Sequence, residues 1–378
     1  MGLSERIELY RTLEAKRKRP VIAFVTSTRP NAEGRIAGDA VHEFEMQLQA
    51  LPADTEALDL LIVSNGGDPT VAWRVVSLIR ERVKQFSVLV PAGAFSAATL
   101  IALGANSIVM HANGNLGPVD PQIHVKRRDS KDGQELNLAF GSEDLSAFLT
   151  YAKENVGLTD QQHLTSAFTK FCDEVGAVPI GVAARSAQLS LSMAEKLLKM
   201  HMSKGGQEQR AKTIAEKLTR EFYHHGYALS RSEARDIGLN IEKDDAERDE
   251  MTWRVWLDFV SELEIRVPFQ PQALVQANPA CAGLFAPVPS VAIPAGTLPQ
   301  VAQQVLAQVA QQNVILTPPT DYRLVQACME SPRCVSQFVT EGAIFAARQP
   351  DLQLNFNVVP YRQGWRSIEP PSTVASAG

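Results

Sequence analysis

Apolar runs and amphipathic runs alternate along the first third of the chain. The run "PVIAFVTS" (20–27) is apolar and β-branched, which is typical of a strand, and Val41, Phe44 and Leu48 lie at helical spacing in the segment that follows. Next come "LDLLIVSN" (strand), "TVAWRVVSLIRERV" (helix), "FSVLVP" (strand), a helix beginning near Ser96, and "SIVM" (strand). Strands that are apolar on both faces and are joined by helices predict a parallel sheet covered on both sides.

The second half of the chain has a different pattern. "SEDLSAFLTYAKENVG", "SAQLSLSMAEKLLKMHM" and "GGQEQRAKTIAEKLTREFYHHG" predict helices from about residue 141 onward. Prolines then concentrate between Pro268 and Pro319, around one predicted helix, "TLPQVAQQVLAQVAQQN". The runs "YRLVQACMES", "SQFVTEGAIFAAR" and "LQLNFNVVPYR" fit either short strands or a helix plus a hairpin.

These patterns predict four regions. Residues 1–19 form an amino-terminal helix and residues 20–250 the main α/β domain. Residues 251–368 form a proline-rich linker with a small α+β accessory region, which could recognise a partner or brace an oligomer. Residues 369–378 form a disordered tail.

Composition narrows the class of protein. The 378 residues are 45% hydrophobic and 21% charged, which is typical of a soluble globular protein. A formal net charge of -5 gives no reason to expect nucleic acid as a partner, because phosphate binding favours a basic face. No apolar run is long enough for a transmembrane segment and the amino terminus is charged, so we expect a cytoplasmic protein.

Cofactor and metal chemistry find no support in the motifs. The four cysteines are widely spread and form no Cys-x-x-Cys pair, so we expect neither a zinc site nor disulfides. The histidines form no metal-binding pair at helical or hairpin spacing, and there is no phosphate-binding or dinucleotide-binding glycine fingerprint. We therefore expect no metal and no cofactor.

Two strand ends carry residues that could take part in catalysis. Gly66 and Gly67 follow "LLIVS" and allow a sharp turn with unobstructed backbone N–H groups. Ser96 follows "VLVPAGAF" at a helix start, where it could be a nucleophile, a helix N-cap or a small residue for close packing. If the two strands are neighbours, an N–H of either glycine and that of Ala97 could form an oxyanion hole for a carbonyl that Ser96 attacks.

Four sequence blocks in order resemble a known family. "SNGGD", "AFSAATLIALGANSIVM", "GNLGPVDPQI" and "YHHGYALSRSEARDIGL" are similar to the serine dehydrogenase proteinases, relatives of signal peptide peptidase A and of the Clp and crotonase folds. The resemblance spans roughly residues 20 to 245. It implies an α/β fold with a crotonase/Clp-like ββα superhelix, a Ser96 nucleophile, a polypeptide substrate and a homo-oligomer. One departure is Ala98, where relatives commonly have glycine, and we expect its extra methyl group to affect the efficiency of the site.

A nucleophilic serine needs a general base, and the sequence leaves its identity open. Clp proteases have a histidine on the strand after the serine's helix; the matching place here is held by Asp120, with His124 four residues further on. A Ser/Lys design would use a later lysine, for which Lys153 is our candidate, with Lys126 and Lys196 as alternatives. Each lysine can equally be a solvated surface residue, and Asp120 can equally cap a turn.

Three functions are compatible with the sequence. The first is a serine peptidase that acts through an acyl-enzyme on Ser96. The second is a crotonase-type enzyme acting on an acyl-CoA thioester, which needs the oxyanion hole but no nucleophile. The third is a catalytically weak oligomeric scaffold with the same fold.

Overall fold

One central sheet organises the part of the chain that the structure describes. The computed structural model describes residues 2–128, 135–220, 222, 226–287 and 291–370. The helices are α1 (Leu3–Arg17), α2 (Ala40–Gln49), α3 (Pro69–Arg82), α4 (Ala97–Leu103), α5 (Ser142–Glu154), α6 (Gln161–Val175), α7 (Ala177–Lys199), α8 (Gln207–Arg220), α9 (Arg231–Asp236), α10 (Ala246–Glu262), α11 (Pro271–Ala277) and α12 (Pro299–Gln312). The strands are β1 (Val21–Thr26), β2 (Ala57–Val63), β3 (Gln85–Val90), β4 (Gly93–Ala94), β5 (Ser107–Met110), β6 (Asn115–Leu116), β7 (Ile123–Arg128), β8 (Glu135–Phe140), β9 (Ile315–Leu316), β10 (Thr320–Glu330), β11 (Val335–Arg348) and β12 (Leu354–Ile368).

The parallel core confirms the prediction from the apolar runs. Strands β1, β2, β3 and β5 are neighbours in that order, and each adjacent pair is parallel. Alternate residues of β1 face opposite sides, as strand geometry requires. Phe24 packs in a cluster with Phe44 of α2, whereas Val25 packs in a second cluster with Leu13 of α1 and Phe259 of α10. Both faces of the sheet are therefore covered.

The carboxy-terminal strands extend the same sheet. Strand β10 pairs antiparallel with β1, with Thr26 opposite Ala327, and β11 and β12 continue outward as antiparallel neighbours. The sequence had left strands and a helix plus hairpin open for this region, because alternation alone does not say which edge a strand will join. The sheet thus continues across the predicted boundary at residue 250, while the four-region division itself stays a prediction.

A buried ion pair ties the amino-terminal helix to this extension. The Arg6 side chain is fully buried, and its Nε and Nη2 donate to the two carboxylate oxygens of Glu330 over 2.9 and 2.7 Å. Tyr10 donates a further hydrogen bond of 3.0 Å to Glu330, and Asp258 of α10 contacts Arg6. Removing one partner of such a buried pair costs about 3–5 kcal/mol, because the other charge stays buried. Helix α1 is therefore part of the folded body.

A smaller layer stands beside the core. Strands β7 and β8 form an antiparallel hairpin, and their apolar side chains pack with Phe171 of α6 and Ile180 of α7. All four cysteines are free thiols. No helix of the described residues is long and apolar enough to cross a bilayer. His224 and His225 of the "YHHGY" block and residues 371–378 of the predicted tail lie outside the described residues.

Candidate active site

Ser96 lies in a strained turn between β4 and α4. Its backbone has φ 53° and ψ -116°, a conformation that residues with a Cβ rarely adopt. It occupies the N-cap position of α4, but its side chain accepts no capping hydrogen bond. Strained backbone at a serine between a strand and a helix is the geometry of a nucleophile elbow, in which the turn presents the hydroxyl outward. Ser96 therefore occupies the N-cap position without capping the helix through its hydroxyl.

The glycine turn, defined as residues 64–68, lies directly against Ser96. Ser64 N donates to Gly93 O over 3.0 Å and Phe95 N donates to Ser64 O over 2.9 Å, so the ends of β2 and β4 are joined. A Cβ built on Gly66 would lie 2.7 Å from both Ser96 Cβ and Phe95 O. Only glycine allows this approach, and the positive φ of 103° at Gly66 favours glycine as well.

The hydrogen bonds distinguish the two glycines. Gly66 N donates to Ser64 Oγ over 3.0 Å, so its N–H is already used. Gly67 sits in a parallel bridge with Ile36, in which Ile36 N donates to Gly66 O and Asp68 N donates to Ile36 O. Among the hydrogen bonds of the described residues, the N–H groups of Gly67 and Ala97 donate to no protein acceptor. Gly67 lines the Ser96 cavity, whereas Ala97 is fully buried and does not line it.

Thr99 and Gly117 hold the serine turn in place, and sequence reasoning did not single them out. Thr99 Oγ1 lies 2.7 Å from Ala94 O and 3.0 Å from Gly117 O, and accepts a hydrogen bond of 3.1 Å from Gly117 N. A Cβ built on Gly117 would lie 2.4 Å from the Phe95 ring. The sequence contains Thr99 three residues after Ser96, and Gly117 two residues before "VD". Only the fold shows that these two residues are hydrogen-bonded to each other.

Ser96 opens into a cavity of about 720 Å³. Its lining includes Gly66 and Gly67 of the glycine turn, His124 of β7 and Leu189 of α7. The hydroxyl of Ser96 has no hydrogen-bond partner among the described residues. The cavity therefore contains the unbonded Ser96 hydroxyl together with Gly67, and Ala97 follows Ser96 directly in the chain.

The candidate bases lie in different places. His124 lines the Ser96 cavity, whereas Asp120 lines a neighbouring cavity of about 220 Å³ and accepts a hydrogen bond of 3.2 Å from Gln122 Nε2. Lys153 is an exposed residue in the last turn of α5 and lines neither cavity. The alternatives Lys126 and Lys196 are also exposed and absent from both linings. The structure thus brings only His124 of these five to the Ser96 cavity.

Ala98 is fully buried in α4, whose residues from Ala97 to Leu103 all lie in the core.

The described residues contain no group of three or more His, Cys, Asp or Glu side chains that could hold a metal ion. The Ser96 cavity itself contains a serine hydroxyl, backbone groups and a titratable side chain, His124.

Comparisons with known proteins bear on the core domain. Residues 2–130 match the family model of the ClpP-like SDH-type serine proteinases, which confirms the resemblance over that part of the chain. Two uncharacterized proteins of Methanocaldococcus jannaschii are similar: MJ0137 is 27% identical over 63% of this chain and 73% of its own length. MJ1495 is 25% identical over 49% of this chain and about half, 51%, of its own length.

Solved structures of proteases resemble the chain more remotely. A mutant of the 1510-N membrane-bound stomatin-specific protease is 16% identical with a TM-score of 0.36, covering 61% of this chain and 82% of its own. ClpP1 from Listeria monocytogenes is 12% identical with a TM-score of 0.32, covering 63% of this chain and 98% of its own. With the family match, the parallel sheet and its two helical layers confirm the predicted α/β, Clp-like fold class.

Proposed function

We propose, from the premise that residues 2–130 match the ClpP-like SDH-type serine proteinases, that this protein hydrolyses peptide bonds through Ser96. The observation that carries the proposal is the strained Ser96 turn, with its unbonded hydroxyl, beside the unused N–H groups of Gly67 and Ala97. A serine that merely packed a helix would need neither the strain nor the open cavity.

The oxyanion hole in this proposal uses Gly67 rather than Gly66. The N–H of Gly66 is held by Ser64 Oγ, so Gly66 serves by letting the turn approach Ser96, while Gly67 and Ala97 donate to the carbonyl oxygen. Loss of one such donor typically costs about a hundredfold to a thousandfold in rate.

The reaction then follows acyl transfer. Ser96 Oγ forms a bond to the carbonyl carbon as the base accepts its proton, and the carbonyl oxygen takes the negative charge between the two N–H groups. Collapse breaks the C–N bond, and the same proton passes to the leaving amine. A water molecule repeats the two steps on the ester, releasing the acid and restoring the Ser96 hydroxyl.

We propose His124 as the general base, because it is the sequence candidate that shares the Ser96 cavity. Asp120 and Lys153 are the alternatives that the sequence offered, and the same assay tests all three. His124→Gln is expected to lower the rate of serine modification by about 10²–10⁴-fold, whereas Asp120→Asn and Lys153→Gln each leave it within about twofold. A large loss in Lys153→Gln with none in His124→Gln would establish the Ser/Lys design instead.

The decisive experiment is labelling with a fluorophosphonate probe. Wild-type protein is expected to be labelled at neutral to alkaline pH, Ser96→Ala not at all, and Ser166→Ala, which changes an exposed serine on α6, at the wild-type rate. Labelling that survives Ser96→Ala, or absence of labelling in the wild type, would contradict the peptidase. The acyl-CoA alternative instead predicts stabilisation by CoA without labelling.

Assembly and location complete the proposal. Homo-oligomer formation is expected from the Clp-like family, and sedimentation of the full chain measures it directly. The cytoplasmic setting stays an expectation from the sequence.

A further inference from the structure

The segment between β1 and α2 connects the site to the carboxy-terminal strands. This connection, which we call the 27–39 loop, lines the Ser96 cavity through Gly34, Arg35 and Ile36. Loops are normally the mobile parts of a fold, since few of their backbone groups are paired. The 27–39 loop is different, because its backbone is bonded on both sides.

On one side the loop holds the glycine turn. Ile36 N donates to Gly66 O over 2.9 Å, and Asp68 N donates to Ile36 O over 2.8 Å. A Cβ built on Gly67 would lie 2.1 Å from Ile36 O, so the two backbones are in direct contact. Ile36 itself is fully buried in the main core cluster. The position of the proposed Gly67 donor is thus set by Ile36.

On the other side the loop is held by β10. Ser27 N donates to Gln326 O over 2.7 Å, and Gln326 Nε2 donates to Glu33 O over 3.1 Å. The Gln326 amide is in turn fixed by Thr340 of β11, whose hydroxyl donates to Gln326 Oε1 over 2.6 Å. A Cβ built on Gly34 would lie 1.9 Å from Gln326 O, a distance that no side chain tolerates.

Strand β12 adds a third attachment at the end of the loop. Trp365 Nε1 donates to Asp39 Oδ2 over 2.9 Å. The indole ring lies 6.5 Å from the ring of Phe24 in β1 and 5.8 Å from that of Phe338 in β11, measured between centroids. The tryptophan is therefore anchored in the sheet and can hold the loop against it.

We infer that strands β10–β12 position the proposed oxyanion hole, acting through the 27–39 loop on the glycine turn. Gly34, Gln326 and Trp365 are positioning residues, and the inference rests on the proposed function of Ser96. Gln326, Thr340 and Trp365 lie beyond the residues 2–130 that match the protease family, so this chain's own carboxy-terminal extension contributes to the geometry of its site.

The size of the effect follows from the contact at Gly34. Bringing the built Cβ from 1.9 Å to at least 3.0 Å from Gln326 O requires a shift of at least about 1.1 Å (3.0 minus 1.9) in one of the two segments. A misplacement of about 1 Å in a catalytic geometry can cost about a hundredfold in rate. We expect Gly34→Ala to lower the second-order rate constant of fluorophosphonate labelling by about tenfold to a hundredfold.

The chain supplies a matched control in the same loop. A Cβ built on Gly38 meets no atom within 4 Å, so Gly38→Ala makes the same chemical change without the contact. It is expected to be labelled within twofold of the wild type. Trp365→Phe, which keeps the aromatic packing and removes only the N–H donated to Asp39, is expected to slow labelling by about threefold to tenfold even if Gly34→Ala does not fold.

Two readouts on the full-length chain separate positioning from loss of folded protein. Positioning predicts slow labelling that still reaches the wild-type stoichiometry, and a lower kcat for p-nitrophenyl acetate hydrolysis with KM little changed. A purely structural role predicts a reduced final stoichiometry of labelling with an unchanged labelling rate per labelled site, and that result would overturn the inference. Equal labelling rates in Gly34→Ala and Gly38→Ala would overturn it as well. If the wild type itself is not labelled at Ser96, the proposed function fails first and the inference fails with it.

Discussion

Replacement of Ser96 by glycine is expected to stabilise the protein while abolishing its activity. The Ser96 backbone has φ 53° and ψ -116°, a region that glycine adopts without steric cost. A side chain held in such a conformation costs about 1–3 kcal/mol. Ser96→Ala removes the hydroxyl but keeps the Cβ and the strain, whereas Ser96→Gly removes both. Comparing these two variants therefore isolates the strain of the turn.

The expected magnitude combines two opposing effects. Relief of strain contributes about 1–3 kcal/mol to the free energy of unfolding, and the extra freedom of glycine in the unfolded chain subtracts about 0.4–1 kcal/mol. The free energy of unfolding of Ser96→Gly should therefore exceed that of Ser96→Ala by up to about 2.6 kcal/mol, with a central value of about 1.3 kcal/mol. The sign is the informative part, because glycine normally destabilises a folded segment relative to alanine.

Equilibrium urea unfolding, followed by far-UV circular dichroism at one fixed protein concentration, measures the difference. The control pair is Ser146→Gly and Ser146→Ala, at an exposed position inside α5, where glycine should be the less stable by about 1 kcal/mol. If Ser96→Gly unfolds at the same urea concentration as Ser96→Ala or at a lower one, the turn stores no strain. The nucleophile-elbow interpretation of Ser96 would then lose its main structural support.

Two further predictions test the surroundings of the site. Gly66→Ala puts a Cβ 2.7 Å from Ser96 Cβ and is expected to slow fluorophosphonate labelling by about a hundredfold. The control is Gly157→Ala, at a glycine that also has a positive φ but has no atom within 4 Å of its built Cβ, and it should be labelled at the wild-type rate. Equal labelling rates in the two variants would refute the steric argument. Burial alone would raise the pKa of Glu242, but hydrogen bonds from Arg17 and Ser107 and the charges of Arg17 and Arg248 lower it to about 2 from 4.5. Because the folded pKa is depressed, the Glu242 carboxylate stabilises the protein above pH 4.5 and loses this contribution as the pH falls toward 2. In urea unfolding at pH 6, Glu242→Gln should therefore be less stable than the wild type by up to about 3 kcal/mol. The difference in stability should close by about pH 2. A gap that stays constant across this pH range would contradict the assignment.

Many of the helices and strands of the core could be predicted from the sequence. The run "SIVM" coincides with β5 (Ser107–Met110), and Val41, Phe44 and Leu48, which lie at helical spacing in the sequence, are buried residues of α2. Such segments are predictable because burial of one face, or of both faces, of a helix or strand requires a characteristic pattern of apolar residues in the sequence. The same reasoning located Ser96 and the paired glycines, since a nucleophile at a turn and glycines at a close approach are local requirements.

The rest depended on contacts between distant segments. Nothing in the alternation of β10 indicated that it would pair antiparallel with β1, because register and edge choice depend on the whole sheet. The sequence could not choose between Gly66 and Gly67, since the choice follows from a hydrogen bond to Ser64 and a bridge to Ile36. It also left the general base open among Asp120, His124 and Lys153, because the residues that line the Ser96 cavity come from a hairpin and a helix whose placement no local pattern encodes.

The sequence by itself determined the parallel α/β core, the serine at a strand-to-helix turn and the glycine pair that makes room for it. Only the tertiary structure decided which N–H groups remain unused, which base candidate lines the Ser96 cavity, and how Gln326 and Trp365 contact residues 293 and 326 positions earlier in the chain. The physical reason is that periodicity and turn chemistry act over a few residues, whereas a catalytic geometry is fixed by the register of strands that meet only in the folded sheet.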